Sequence, residues 1–415
     1  MYKHRSAPNH THKRRPYNDL GSYDFLICGG GIVGLTIARE LLNKGGENIV
    51  VIEKEDDLGK HASGRNSGVL HAGIYYSSNS LKAKFCLKGN FLLRQYCKEK
   101  ELPLFESGKV IVAKSEDEIG TLMELYKRAV ENGAKVELVN EKQLNEIEPN
   151  AKTYEIALYS HYTAVIDPNA VLKSLYEDLT VSRKVKVITG MEFKRIQGDT
   201  IALTNKGEIR FKTFINAAGG YSDRVANAFG LGLNFKTVPF KGLYRKVKSG
   251  RSHLVKGNIY PVPDISNPFL GVHFTKDING EIYIGPTAIP ALGRENYGIF
   301  DGIGLEALDI LIRDTVLFLV NSGFRDVALT EPRKYFSKYF FNNAKKLVKE
   351  LNPEDIMASN KVGIRPQLVD WNKKELVMDF VVIKGSNSIH ILNAISPAFT
   401  CSMAFADFVV KEYIH

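Results

Sequence analysis

The chain has 415 residues, enough for two domains, and its 44% hydrophobic and 25% charged content is that of a protein with a sizeable core, which excludes wholesale disorder. Four scattered cysteines, Cys28, Cys86, Cys97 and Cys401, form no C-x-x-C pair, so no zinc site, no other metal centre and no disulfide framework is expected, and a reducing compartment fits. Of the net charge of +10, Lys3, Arg5, Lys13, Arg14 and Arg15 supply five within the first sixteen residues; the body is only mildly basic, and nucleic acid is not an expected partner.

Residues 1–21 read as a disordered basic tail. No acid occurs before Asp19, as in a transit peptide, but an amphipathic apolar face is missing, and so is the apolar core of a secretory signal. The expected location is therefore cytoplasmic, or mitochondrial if the basic tail is a transit signal. No run of about 18 apolar residues occurs; the best apolar helix, near 305–320, is broken by Arg313 and Asp314.

From Tyr23 the pattern becomes regular. An apolar strand, Phe25–Cys28, leads through glycines into a helix over Ile32–Lys44, and Ile49–Ile52 is a second buried strand ending at Glu53. This is a β-α-β unit of about thirty residues, which implies parallel strands. A Gly/Ser/Asn-rich loop follows over 59–80. Helices are then expected at Leu81–Lys100, Glu116–Asn132 and Asn169–Leu179, with strands at Lys109–Ala113, Val136–Val139 and Val185–Ile188.

Ile201–Leu203 and Ile209–Phe211 read as a hairpin, and Phe214–Asn216 as a buried strand running into Ala217–Gly220. Residues 236–290 alternate like antiparallel strands, residues 304–350 are helical, and Ile389–Asn393 precedes a last helix at Ala398–Val410. The sum is an α/β fold in which a dinucleotide-binding domain (22–83, 150–235 and 355–415) is interleaved with an α+β, antiparallel-sheet substrate domain (84–149 and 236–354).

Gly29, Gly31 and Gly34 make a G-x-G-x-x-G sequence after a strand and at the start of a helix, and Glu53 lies 19 residues beyond Gly34. Gly29 permits the tight turn, Gly31 the approach of backbone to a pyrophosphate, and Gly34 close helix–strand packing. The helix N-terminus offers N–H groups to the phosphates, and Glu53 can accept from ribose hydroxyls. The fingerprint alone does not separate FAD from NAD. The polar loop Ser63–Tyr76 does, because it stands where a nicotinamide dehydrogenase would continue alternating helix and strand, and it can run along an extended cofactor.

With that loop the sequence resembles the D-amino-acid-oxidase superfamily of FAD-dependent oxidoreductases and, more narrowly, the L-2-hydroxyglutarate oxidase/dehydrogenase family. The resemblance runs from about Tyr23 to the C-terminus. Its specific pieces are Ser63–Tyr76 with Ser80–Ala83, Tyr260–Asp264, Pro268–Thr275, Gly285–Ala288 with Arg294–Tyr297, Gly363–Pro366 and Leu392–Thr400. Pro366 and Thr287 depart from it, standing where alanine and asparagine are common. The resemblance implies a glutathione-reductase-like, FAD-binding Rossmann fold and oxidation of (S)-2-hydroxyglutarate to 2-oxoglutarate. Electrons then go to oxygen, a quinone or an electron-transfer chain. An amine or amino-acid oxidase of the same superfamily, or a flavoprotein without catalysis, is the alternative.

The resemblance also implies that Arg65, Asn66 and Ser67 lie beside the flavin or its pyrophosphate, that Ala218 and Gly219 make a second backbone contact to FAD, and that Arg365 and Ser396–Phe399 close over the flavin ring. Oxidising a secondary alcohol needs a proton acceptor, for which histidine suits. His71, after the flavin loop, and His273, in an apolar strand, are the two candidates, and the sequence does not rank them. A small anionic substrate with two carboxylates needs cations or donors, expected from Arg365, Tyr260, Tyr244 and Lys82. The basic aromatic segment 334–349 reads as an amphipathic helix packed on its own domain, with a peripheral membrane contact as the other reading.

Overall fold

Strand Ile49–Ile52 pairs in parallel with Asp19–Cys28 on one side and Val185–Ile188 on the other, and Asp19–Cys28 pairs in parallel with Glu208–Asn216. The computed structural model describes residues 18–265 and 269–414; the basic residues and histidines expected in a tail lie, up to residue 17, outside them. Residues 19–21, expected in the tail, belong to the first strand, where Asp19 pairs with Glu208.

Ser388–Leu392 adds a fifth parallel strand beside Phe214–Asn216, and Val381–Lys384 closes that edge antiparallel. The central strand Ile49–Ile52 is buried on both faces and therefore reads as an unbroken apolar run. One face is covered by helices Ile32–Asn43, Leu81–Glu99, Pro168–Val181 and Ala398–Tyr413, which meet it through Leu35, Ile37, Leu93, Leu175 and Phe405. Against the other face, Leu26, Val50 and Phe214 pack with Met191, Phe211 and Val225. The expected hairpin is there, Ile201–Thr204 against Glu208–Asn216, but Ile209–Phe211 and Phe214–Asn216 are one continuous strand rather than two.

A second, ten-stranded sheet runs Glu375–Leu376, Ile356–Asp370, Phe235–Val247, Ile282–Gly285, His273–Lys276, Asn258–Pro261, Lys109–Val112, Ile156–Ser160, Val136–Asn140, with Ile289–Pro290 beside Phe235–Val247. All its neighbours are antiparallel except Asn258–Pro261 on Lys109–Val112. A small sheet of Val69–Leu70, Ala164–Ile166 and Leu104–Phe105 lies apart from both.

Sheet membership moves three of the expected domain boundaries. Helix Leu81–Glu99 packs in the core of the first sheet, through Phe85 and Leu93, rather than with the substrate domain. Ile156–Ser160 and Ile356–Asp370 join the second sheet rather than the first. Ile356–Asp370 is drawn there by its long antiparallel pairing with Phe235–Val247. The helical stretch 304–350 contains Glu306–Val320, Ser322–Thr330 and Ser337–Lys345. The segment expected as one amphipathic helix is broken at Phe336, which has an extended backbone, so its helical part is only Ser337–Lys345.

Candidate functional site

Beyond the carboxyl ends of the parallel strands lie two cavities of about 1260 and 1270 Å³ that share Ile32, Ala62, Ser63, Ile364, Pro366 and Ala394, so they form one elongated cleft. That is where ligands bind in open α/β sheets. The first cavity is walled by Cys28, Gly29, Gly31, Glu53, Ala218 and Gly219; the second by Arg65–Ser67, His71, Tyr244, Tyr260, His273, Arg365 and Ser396–Thr400.

The three fingerprint glycines do different work. A Cβ on Gly34 would lie 1.9 Å from the Gly29 carbonyl oxygen, and one on Gly29, whose φ is +116°, 2.3 Å from that of Ala217. The fold itself excludes side chains there. A Cβ on Gly31 would meet only the Ser63 hydroxyl, at 3.0 Å, and otherwise fill cavity. Gly31 is thus bare toward the space a phosphate would occupy. It caps helix Ile32–Asn43 without a side chain, while the Ser63 hydroxyl accepts from the Ile32 N–H at 3.0 Å. Glu53 accepts the Gly30 and Glu55 N–H groups at 2.9 and 3.0 Å, which fixes its carboxylate at the cavity wall.

The loop after Glu53 is held by its own side chains. Asn66 donates to the Ala62 and Ser63 carbonyls and accepts from Gly68 N–H, Ser67 accepts from Val69 N–H, and Arg65 donates to the Lys60 carbonyl and lies over the Tyr297 ring. The loop Arg294–Tyr297 reaches back across. His61 bridges the Tyr297 hydroxyl (2.7 Å) and Glu55 (2.8 Å), and the Tyr221 hydroxyl donates to Glu295. Glu55, His61 and Glu295 are the one cation-sized cluster among the described residues, and the Lys54 ammonium already sits between the two carboxylates. Arg294 is buried against Asp223, Glu306 and the Gly220 carbonyl.

In the second cavity the backbone of His71 is clamped: its N–H donates to the Thr400 hydroxyl, and its carbonyl accepts from Asn90 and Cys86. Its Nδ1 is buried and has no partner among the described residues. Burial, followed by the charges of Lys109, His273 and Arg365, holds the His71 imidazole well below its usual range. His273 donates from Nδ1 to the Gly271 carbonyl at 2.9 Å, and burial pushes it down to about 3. Burial raises the phenols, Tyr244 to about 12 and Tyr260 higher, so both are O–H donors at neutral pH. Arg365 lies over the Phe269 ring at 4.9 Å, and burial lowers it. Helix Ala398–Tyr413 starts at the cavity wall with no side-chain cap and no acid in its first turn, which leaves the partial positive charge of its N-terminus at the cavity.

The expected site residues thus converge, with one correction. Lys82 is not on the cavity wall; it is buried at the start of helix Leu81–Glu99, over the Phe380 ring and beside Asp379, and burial lowers it to about 8. Thr287 has a structural use, since its hydroxyl donates to the Lys241 carbonyl and accepts from Leu243 N–H. Sequence reasoning missed Lys109, Tyr75 and Glu331. Glu331 accepts the Ala288 N–H at the cavity wall; Lys109 opens a strand that is otherwise apolar and is buried whole, which was its only signal.

Bare glycine, two helix N-termini at the walls and an elongated cleft fit a dinucleotide bearing a ring system. A model of FAD-dependent oxidoreductases, the DAO family, matches residues 24–412. The chain belongs to that family. Among curated relatives it is 37% identical to the mitochondrial L-2-hydroxyglutarate dehydrogenase of Homo sapiens, over 94% of this chain and 88% of that one. It is 36% identical to the enzyme of the same name from Caenorhabditis elegans, over 96% and 94%. Among solved structures, L-alpha-glycerophosphate oxidase from Mycoplasma pneumoniae with FAD bound superposes with a TM-score of 0.72 at 22% identity, covering 94% of each chain. Glycine oxidase from Geobacillus kaustophilus does so at 0.70 and 18%, covering 95% of this chain and 94% of that one. The expected cofactor and mixed α/β fold therefore stand, and this member of the family is an FAD-dependent oxidoreductase.

Proposed function

We propose that the protein oxidises (S)-2-hydroxyglutarate to 2-oxoglutarate with FAD. The observation that carries this reading is end-to-end similarity to relatives named for that substrate, at 36–37% identity. Bound FAD supplies a hydride acceptor. Arg365 holds a substrate carboxylate, and Tyr244 and Tyr260 donate to it. A neutral histidine takes the hydroxyl proton; we assign this to His71, with His273, whose Nδ1 donates to the Gly271 carbonyl and whose Nε2 is left as an acceptor, as the alternative. The test is anaerobic mixing of the FAD-loaded protein with (S)-2-hydroxyglutarate, the R isomer, glycine and L-proline. Bleaching by the S hydroxy acid alone supports the reading; bleaching by the amino acids alone replaces it with an amine oxidase.

A peripheral membrane contact is part of this proposal, with a quinone as electron acceptor. No helix among the described residues is long and apolar enough to cross a membrane. Yet Leu308, Leu311, Ile312 and Leu319 form an exposed stripe on helix Glu306–Val320, beside exposed Phe300 and Leu305, and Phe336 stands exposed next to Lys338. A basic and apolar surface suits an acidic bilayer. Co-sedimentation with anionic but not neutral vesicles, lost in the double variant Leu308→Ser with Ile312→Ser, checks it. The compartment we propose is a reducing one: mitochondrial if the basic N-terminus acts as a transit signal, cytoplasmic otherwise.

A further inference from the structure

Behind the wall of the second cavity, three buried polar atoms have no hydrogen-bond partner among the described residues: Nδ1 of His71, the hydroxyl of Tyr75 and Nζ of Lys109. Lys109 is 1% exposed, and its Nζ lies 4.5 Å from the centre of the Tyr75 ring and 4.8 Å from that of Tyr260. The groups acting on it come from every side: Cys86 from helix Leu81–Glu99, His71 and Tyr75 from the flavin loop, Tyr260 and His273 from the neighbouring strands, and Arg365 beyond them. No carboxylate is among them. An isolated buried ammonium is costly, whereas a neutral amine that can become an ammonium between two aromatic faces is tolerable in both states.

We propose that Lys109 is a positioning residue for proton removal, receiving through His71 the proton that leaves the substrate hydroxyl. It rests on the proposed function only for the identity of the alcohol. Neutral His71 carries its proton on Nδ1 and presents Nε2 as acceptor. When the substrate O–H bond breaks, its proton bonds to Nε2. The Nδ1 proton passes to the lone pair of Lys109 Nζ, and His71 is left neutral. The alcohol carbon loses its hydrogen with the electron pair to the FAD that the family uses, so the carbon is oxidised and the cofactor reduced. The ammonium left on Lys109 lies against the Tyr75 and Tyr260 rings. Burial lowers Lys109 to about 7, so the amine is available as acceptor at neutral pH and above.

The experiment uses the FAD-loaded full chain with Lys109→Met and Lys109→Arg. Met matches the length of lysine without a charge; Arg keeps the charge but cannot give up its proton. Both variants are expected to hold FAD, to change KM less than threefold, and to slow anaerobic flavin reduction by about 10²-fold, with loss of the rise in rate as pH increases through about 7. Wild-type rate and pH profile in Lys109→Arg, which a fixed cation would give, overturn the relay. Independently of any substrate, ¹⁵N-lysine NMR of the wild-type holoprotein should show an amine titrating near 7 that is missing in either variant. If Lys109 titrates near the ordinary 10, the inference fails even should (S)-2-hydroxyglutarate be the substrate. If (S)-2-hydroxyglutarate fails to bleach wild-type flavin while the titration is near 7, the substrate is wrong and the relay stands.

Discussion

The imidazole of His273 stacks on the ring of Tyr260, with centroids 3.7 Å apart and planes 20° from parallel. The stack fixes the imidazole plane, and the Gly271 carbonyl fixes its tautomer, because a carbonyl can only accept and Nδ1 must then carry the hydrogen. Its Nε2 is therefore an acceptor at neutral pH. His273→Asn is expected to keep FAD and reduce it no more than about tenfold slower, since its role is to hold Tyr260 and receive a substrate hydrogen bond. A loss as large as that of a general base, measured by anaerobic stopped flow, would transfer the base role to His273.

The contrast between two glycines checks the cofactor site. Gly31→Val is expected to give a folded protein without FAD, because its side chain enters the cleft and meets only the Ser63 hydroxyl. Gly34→Val is expected to give little folded protein, since even its Cβ collides with the Gly29 carbonyl. Circular dichroism with flavin absorbance separates the two. Full FAD occupancy in Gly31→Val would remove the pyrophosphate from this turn.

Much of the first sheet was legible for a local reason. Ile49–Ile52 is a four-residue apolar run whose burial on both faces needs no knowledge of distant partners. Ile356–Asp370 was not legible: it carries Asn360, Lys361, Gly363 and Pro366 and becomes a strand only by pairing along Phe235–Val247. The same holds at the site. The flavin loop announced His71 by its motif, whereas Lys109 meets the Tyr75 and Tyr260 rings only through the folding of distant segments. Lys82 lies off the cavity wall, beside Asp379 and the Phe380 ring, which no local sequence signal announced.

Arg365→Met is expected to keep FAD and raise KM for dicarboxylates by roughly ten- to a hundredfold, the equivalent of about 1.5–3 kcal/mol for one lost charge-assisted hydrogen bond. Steady-state kinetics with mono- and dicarboxylate hydroxy acids checks this. Loss of FAD instead would assign Arg365 to the cofactor.

The buried pair Arg294–Asp223 joins the loop over the first cavity to the helix Ser222–Ala228. Burial alone would raise the Asp223 carboxyl, but Arg294 and the Thr237 N–H outweigh it and hold it low. A depressed carboxylate stabilises the fold above its unfolded pKa of about 4, and that stability is lost as pH falls through the lower folded value. Arg294→Met is expected to cost about 3–5 kcal/mol, because it leaves Asp223 buried and unpaired. Urea unfolding at pH 7 checks the magnitude. A cost below about 1 kcal/mol would mean that water replaces the guanidinium.

The riskiest prediction concerns His71. Its backbone is held on both sides, by Thr400 and by Asn90, so His71→Asn should leave the loop in place and the flavin bound. Burial and the nearby cations keep the imidazole neutral at pH 7, which makes it ready to accept a proton without first losing one. General-base catalysis is worth about 10²–10⁴-fold, well beyond a packing change at a position this rigid. Flavin reduction in His71→Asn should therefore slow by that factor, with substrate binding little altered. Because the titration near 7 is ascribed to Lys109 and reaches the substrate only through His71, this variant should also lose the pH dependence, as Lys109→Met does. The double variant should then be no slower than His71→Asn alone, since two residues in one relay do not add. Multiplying losses in the double variant would show that the two act separately.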